Sequence, residues 1–384
     1  MNVLQEIFCD HFEEMVYTLH PRQTVIDNVE RMIGCGDWRN GYAIYGCDKC
    51  DKLKIVPFHC KSRFCPTCGN KYNAQRATSM SFKIINVKHR HCVFTIAEEL
   101  RPFFLKDRSL LDCLFKSVRD VVLNMFFRDN KSKNFTPGII CVLHTFGRDL
   151  KWNPHIHCLI SEGGIADDME WRKKDFFPYK LMRDSFQTVL LNQLEVKLGP
   201  SFKAVKSSIY KKHKNGFYVY AKPTDLSPKD AIKYIGRYLG RPVIATSRID
   251  NYDGDTVTFH YNRHEDDVLV TRTVPVMNFI EMLIQHIPEY NFKMIRYYGI
   301  YARHRKNDRK IRRAVPKDRH QFLLSLNRWR NMTYISFGYD PTKCPCCKKP
   351  MSIIEICPRT KAMSLQDRYE RIMAKAKSRS PSKF

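Results

Sequence analysis

Apolar residues open the chain at helical spacing: Val3, Leu4, Ile7, Phe8, Phe12, Met15, Val16 and Leu19, until Pro21 stops the run. One helix over 3–19 is expected, with a second over 22–33 closed by Gly34. Between 35 and 70 neither a 3.6-residue nor a two-residue period is sustained, which suits a small module stapled by metal. Regular periods return from about residue 82. His91–Ala97 reads as a strand, 105–128 as a long amphipathic helix, and 138–145 with 154–161 as two apolar strands. A helix over 172–197, a strand over Phe217–Ala221 and a helix from Ser227 or Pro228 to about Leu239 follow, the last with Asp230 in its first turn. Strands near 256–261 and 267–273 and a helix over 276–287 complete the pattern. The fold class is α+β around an antiparallel sheet. Three regions are expected: helices and a cysteine module over 1–80, the sheet domain over 81–290, and a basic region over 291–384.

Charge narrows the partners. The chain has 384 residues, 66 Lys and Arg against 39 Asp and Glu, a net charge of +27 and a pI near 9.6. Such a field draws polyanions, nucleic acid first among them. With 43% hydrophobic and 12% aromatic residues, this is no unfolded basic tail. Apolar runs such as Gly138–Leu143 fall far short of the ~18 residues of a membrane span. The first residues carry no basic n-region, so no signal peptide is read, and a soluble protein of the cytoplasm and nucleoid is expected. In 296–330, 12 Lys and Arg face 2 Asp, with Tyr297, Tyr298, Tyr301 and Trp329 interleaved. Aromatics among cations suit unpaired bases, at ~1–3 kcal/mol per stacked base. Arg296, Arg303 and Arg305 are the candidate DNA contacts of this stretch. The last 18 residues are basic, Ser-rich and read as disordered.

Cysteine spacing adds a metal. Of 15 cysteines, Cys35, Cys47, Cys50, Cys60, Cys65 and Cys68 fall within 34 residues. Cys47-x-x-Cys50 and Cys65-x-x-Cys68, 14 residues apart, have the spacing of a zinc ribbon, and four thiolates leave no open position for catalysis. Cys60 and Cys35 are surplus to it; either could replace a knuckle cysteine or, with His59, complete a second site. Cys344 and Cys347 form one more knuckle, which Cys346 and Cys357 or the N-terminal cysteines could complete. Cys9, Cys92, Cys113, Cys141 and Cys158 read as small core residues.

Two further motifs carry chemistry. His155-Ile-His157 on a strand puts both imidazoles on one face, where they can grip one metal ion. If 138–145 and 154–161 form a hairpin, His144 comes opposite His155 as a third ligand; Asp230 is the carboxylate alternative. On the helix after Pro228, Tyr234 and Tyr238 lie four apart on one face, flanked by Lys233, Arg237 and Arg241, so both could reach one phosphate.

Nearly end to end, these motifs resemble the insertion sequence ninety-one family of rolling-circle transposases. They are two-tyrosine members of the HUH endonucleases (His, hydrophobic, His). The cysteine array 35–68, Phe94–Arg101, Leu143–Gly147 with Asn153–Cys158, Ala231–Tyr238 continuing to Ile249, Phe279–Gly299 and the final Cys-Pro-x-Cys carry the likeness. Asn153 departs from the pattern, standing where relatives often have another histidine, and some relatives keep only the second tyrosine. The resemblance implies an HUH single-strand endonuclease and strand transferase with a ferredoxin- or RRM-like core. It implies catalytic Tyr238 and Tyr234, catalytic Mg²⁺ or Mn²⁺ on His155, His157 and His144, and structural Zn²⁺ on the cysteines. Its partners would be single-stranded or hairpin DNA at element ends, target DNA and host replication proteins. A free tyrosine is only ~0.1% phenolate at pH 7, a handicap of about 4 kcal/mol that the metal must offset. Two alternatives remain: a plasmid replication initiator or relaxase with the same chemistry, and a non-catalytic zinc-ribbon protein that binds nucleic acid.

Overall fold

Helix α1 (Val3–Asp10) and helix α2 (Phe12–Leu19) replace the single helix expected over 3–19. His11 breaks the run with φ −113° and ψ 18°, and its Nε2 sits 3.1 Å from Tyr252 Oη and 2.8 Å from the Gly254 carbonyl. The break lets each half aim its own apolar stripe inward. Helix α3 (Gln23–Ile33) ends at Gly34 as expected. The computed structural model describes residues 2–81, 84–128, 135–223, 242–263, 265–302, 328–358 and 370.

The cysteine-rich stretch holds more regular structure than its pattern suggests. Strands β1 (Gly41–Gly46) and β2 (Leu53–Pro57) form a hairpin, and helix α4 (Pro66–Ser81) follows with Pro66 at its first position. After strand β3 (His89–Thr95), helix α5 (Arg101–Lys106) and helix α6 (Leu111–Arg128) share the expected long helix between them. Strands β4 (Thr136–Phe146) and β5 (Trp152–Ile165) pair as a hairpin. The helix expected over 172–197 begins late, because Trp171–Lys173 forms strand β6 against Gly163–Ile165 and Pro178 precedes helix α7 (Tyr179–Leu198). Helix α8 (Phe202–Lys212) and the two-residue strand β7 (Val219–Tyr220) come next. Strands β8 (Ile249–Tyr252), β9 (Thr256–Asn262) and β10 (Leu269–Pro275), helix α9 (Val276–Ile284), strand β11 (Ile295–Gly299), helix α10 (Trp329–Phe337) and strand β12 (Ser352–Pro358) complete the described chain. The class is α+β.

The central antiparallel sheet runs β11-β4-β5-β3-β7, with β6 on β5. Alternation divides its residues between two layers. Cys92, Phe94, Cys141, Leu143, Ile156, Cys158 and Ile160 face a core with Phe115, Val118, Val122, Phe186 and Leu190 of α6 and α7. Each fully buried phenylalanine there contributes about 1.5–3 kcal/mol. Ile140, Val142 and Leu159 face the other way, toward Met80, Ile85, Ile300 and Tyr301. At one end Arg90, only 4% exposed, gives Nε and Nη2 to Glu162 Oε1 at 2.9 and 2.7 Å. Cys92, Cys113, Cys141 and Cys158 are buried as expected, but Cys9 is exposed, on the outer side of α1.

Contacts cross both expected boundaries. The α1–α3 helices share a core with Val257, Phe259, Phe279 and Leu283, far along the sequence. Beyond residue 290, β11 pairs with β4 from Ile295–Val142 to Gly299–Gly138. Strand β12 pairs with β1, so the C-terminal region completes an N-terminal sheet of order β12-β1-β2. Gly299 is needed where β11 ends: φ is 59°, and a Cβ would stand 1.8 Å from the Pro137 carbonyl oxygen. Among the described residues no helix is long and apolar enough to cross a membrane.

Two buried imidazoles brace this frame. His89 sits 2.8 Å by Nδ1 from the Val87 carbonyl and 2.6 Å by Nε2 from Tyr301 Oη. His286 Nε2–H donates to the Leu150 carbonyl at 2.9 Å, with Thr145 Oγ1 3.1 Å from Nδ1. Burial lowers His89 to about 4 and His286 to about 3. Below the ordinary imidazole value of 6.5 the unfolded chain takes protons that the folded one refuses. Stability is therefore complete above pH 6.5 and falls as pH drops toward 4, by on the order of 2 kcal/mol for each histidine at pH 5. Thermal unfolding followed by circular dichroism should show a melting temperature several degrees lower at pH 5 than at pH 7.5; an unchanged midpoint would contradict this assignment.

Candidate active site

The β4–β5 ladder sets His144 directly opposite His155, the register expected of the hairpin. Two-residue alternation brings His157 to the same face, between Val142 and Val93. Ring nitrogens of the three histidines all lie within 4.8 Å of one another. His155 Nδ1–H donates to the Asn153 carbonyl at 2.7 Å, which leaves its Nε2 lone pair free to bind; His157 Nε2 is 3.1 Å away. Asn153 Oδ1, two residues before His155, is buried with no hydrogen-bond partner among the described residues.

A fourth histidine joins them. His91 Nε2 lies 3.0 Å from His157 Nδ1, and the two rings stack with centroids 5.2 Å apart at 14°. His91 belongs to β3, 66 positions before His157, and sequence reasoning did not place it in the site. The available signal was its place in an apolar strand, which showed neither the neighbouring strand nor the register. Burial lowers His155 and His91 to about 4. Burial first, then His144, His155 and His91, push His157 well below the ordinary value. His91, His155 and His157 are therefore neutral at pH 7, the form that offers a lone pair to a metal.

His91 can therefore orient His157 by fixing its tautomer, as outer partners of metal-bound histidines do. His91→Phe is expected to weaken divalent-metal binding by about 10- to 100-fold, with metal saturation restoring most activity. Metal titration of the variant checks this, and an unchanged metal requirement would remove His91 from the site.

Tyr234, Tyr238, Lys233, Arg237, Arg241 and Asp230 lie outside the described residues, as do Arg303 and Arg305. The strand that precedes the tyrosine segment is described. β7 pairs with β3 through Tyr220–Val93, and the Tyr220 ring lies 6.2 Å from that of His91. Arg296, expected to meet DNA, is engaged inside the protein. It pairs with Asp112, and its guanidinium stands 4.1 Å from the Phe115 ring centroid. The reason is register: Arg296 is opposite Cys141, on the helix-covered face. Tyr301 is likewise a buried partner of His89 and no free stacking platform, whereas Trp329 is 54% exposed.

The cysteines group differently from the single ribbon expected. Cys65 and Cys68, at the start of α4, meet Cys35 and Cys60. Sγ separations are 3.5 Å for Cys35–Cys68 and 3.6 Å for Cys60–Cys68. Zn–S bonds of ~2.3 Å imply tetrahedral edges of ~3.8 Å, so these thiols fit one zinc ion. His59 Nδ1 stays beside Cys35 at 3.5 Å, outside the set of four. Cys47 and Cys50 sit instead at the tip of the β1–β2 hairpin. Cys35 and Cys60 flank its base, and strands of five or six residues separate tip from base by roughly 17–20 Å. At the tip their partners are Cys344 and Cys347.

The chain resembles known proteins over most of its length. Residues 7–96 match the family described as "Transposase zinc-binding domain", and residues 138–309 match one described as "Putative transposase". Over 295 residues the chain is 30% identical to "Transposase for insertion sequence element IS801" of Pseudomonas savastanoi pv. phaseolicola, spanning 73% of this chain and 71% of that one. The chain belongs to the insertion sequence ninety-one family of transposases. It is also 25% identical over 345 residues to "Putative transposase y4qJ" of Sinorhizobium fredii, with coverage of 82% and 85%. No solved structure matches it. This transposase thus carries its family's zinc-binding domain, and the Cys35–Cys68 tetrad lies wholly inside that match. His144, His155, His157, Tyr234 and Tyr238 all fall within the second. As a transposase it acts on DNA.

Proposed function

We propose that this transposase nicks and rejoins single-stranded DNA by transesterification through a 5′ phosphotyrosine, the chemistry of rolling-circle transposition. The observation that carries the reading is the cluster of imidazoles from His144, His155 and His157 on one sheet face, with burial holding His155 and His157 neutral. It sits beside the strand from which the tyrosine segment departs. The three nitrogens would hold Mg²⁺ or Mn²⁺, which when bound supplies positive charge at the scissile phosphate and the leaving oxygen. The Asn153 carbonyl and His91 hold two of the imidazoles in place beforehand, so little reorganisation is needed during the reaction. Tyr238 or Tyr234 forms a bond from its phenol oxygen to phosphorus as the P–O3′ bond breaks. The phenol proton passes to solvent, and the departing 3′ oxygen takes one up. One phosphoester replaces another, so rejoining is the same step reversed and needs no ATP.

A tyrosine must reach the backbone, which favours single-stranded or hairpin DNA at element ends and an unpaired target. The charge of +27 supplies attraction for it and a place at the nucleoid, where host replication proteins would be further partners. Zinc in the Cys35–Cys68 tetrad would be structural. The test is to incubate the full chain with Mn²⁺ and 3′-labelled single-stranded element-end DNA. The expected product is labelled protein that survives denaturation. A labelled fragment released without any adduct, with water as nucleophile, would overturn the proposal.

A further inference from the structure

The hairpin tip holds a second set of thiols: Cys47 and Cys50 lie inside the zinc-binding family match, whereas Cys344 and Cys347 lie beyond both matches, which end at residues 96 and 309. Cys47 and Cys50 meet Cys344 and Cys347 across about 300 positions of sequence: Sγ separations are 3.3 Å for Cys47–Cys347, 3.6 Å for Cys50–Cys344 and 3.7 Å for Cys50–Cys347. A disulfide would need ~2.05 Å, and all four cysteines are free.

The two turns are built alike. Cys47 N–H donates to the Lys52 carbonyl at 3.1 Å, and Cys344 N–H to the Lys349 carbonyl at 2.8 Å, five residues on in both. Asp51 N–H returns to the Cys47 carbonyl at 3.0 Å and Lys348 N–H to the Cys344 carbonyl at 3.1 Å. Asp51 and Lys348 hold matching positive φ values of 50° and 61°. Backbone N–H groups of Lys49 and Cys50 point to the Cys47 sulfur, and those of Cys346 and Cys347 to the Cys344 sulfur. Amides aimed at sulfur stabilise thiolates, the form a metal binds. Cys344 is fully buried and Cys47 3% exposed, although among the described residues the apolar side chains packed with them are only Met351 and Tyr45.

We propose that Cys47, Cys50, Cys344 and Cys347 form a second zinc site, and that this site clasps the C-terminal strand to the N-terminal hairpin. Four thiolates close the tetrahedron, so its role is structural. The β1–β12 ladder, helped by α10 on α4 and by Lys54 Nζ–H on the Pro341 carbonyl, must hold the C-terminal strand to the N-terminal hairpin against chain entropy. Metal–sulfur bonds at the end of that ladder supply what a three-stranded sheet with a two-residue buried core lacks. Cys346 and Cys357, the other cysteines of this region, take no part. The inference does not depend on the nuclease reading.

Zinc per chain, measured on the full chain in a His155→Ala/His157→Ala background so that only thiolate sites count, should be two. Cys344→Ser/Cys347→Ser should bind one, and Cys346→Ser/Cys357→Ser should keep two. A protease site inserted between residues 312 and 313 gives a second measurement that does not need the cysteine variants to fold. After cleavage the halves should co-elute with zinc and separate when a chelator is added. One zinc in the parent, or two in the Cys344→Ser/Cys347→Ser variant, would overturn the clasp. So would halves whose association ignores the chelator.

Discussion

His157→Ala is expected to reduce strand cleavage by at least about 10²- to 10³-fold while DNA affinity stays close to that of the parent. His157 is the hub of the cluster: Nε2 approaches His155, Nδ1 approaches His91, and the His144 ring centroid is 4.8 Å away. On the proposed reading its loss removes a ligand, and it frees two neighbours at once. DNA affinity should rest on phosphate contacts from Lys and Arg spread over a chain of +27 charge, which this change does not touch. His155→Ala should match it. His144→Ala should be nearly as damaging, because the ladder sets it opposite His155. Cleavage and filter binding measured on the same oligonucleotide separate the two effects. A His157→Ala protein that cuts at the parental rate would remove the metal from the mechanism.

The double variant Tyr234→Phe/Tyr238→Phe should form no covalent adduct yet bind DNA normally. Removing a phenol oxygen leaves the ring in place, so the change tests chemistry more than folding. The single variants should differ. Relatives with one tyrosine resemble this chain at Tyr238, so Tyr238→Phe should lose the first cleavage. Tyr234→Phe should still nick an oligonucleotide but fail at complete transposition, where two phosphoesters must be broken and both strands held. Denaturing gels of labelled adducts read the first step, and a donor-to-target assay in cells reads the whole. An adduct persisting in the double variant would end the tyrosine mechanism.

Much of this protein follows from local rules. Alternation along β5 put His155 and His157 on one face, because side chains in any strand alternate. The two apolar runs around a short polar turn predicted the β4–β5 hairpin, and with it His144. Knuckle spacing announced zinc, since two cysteines three apart can face one ion wherever they lie. Long-range partners were another matter. Cys47 and Cys50 were expected with Cys65 and Cys68 because they are near in sequence, but an intervening hairpin carried them to its far end. His91 and Arg296 each sit on a strand whose face is set by the register of a distant partner, through Leu159 and Cys141 respectively. Register is decided by cross-strand pairing and by the packing of both sheet faces, and no single stretch of sequence contains either. By itself the sequence determined the family, the α+β class, the hairpin and the residue types able to bind metal. Only the tertiary structure decided which thiols meet, that a fourth histidine backs the third, and that strands from the N-terminal and C-terminal regions build one sheet. Those contacts join residues tens to hundreds of positions apart, where the cost of closing the loop is met collectively by the whole fold.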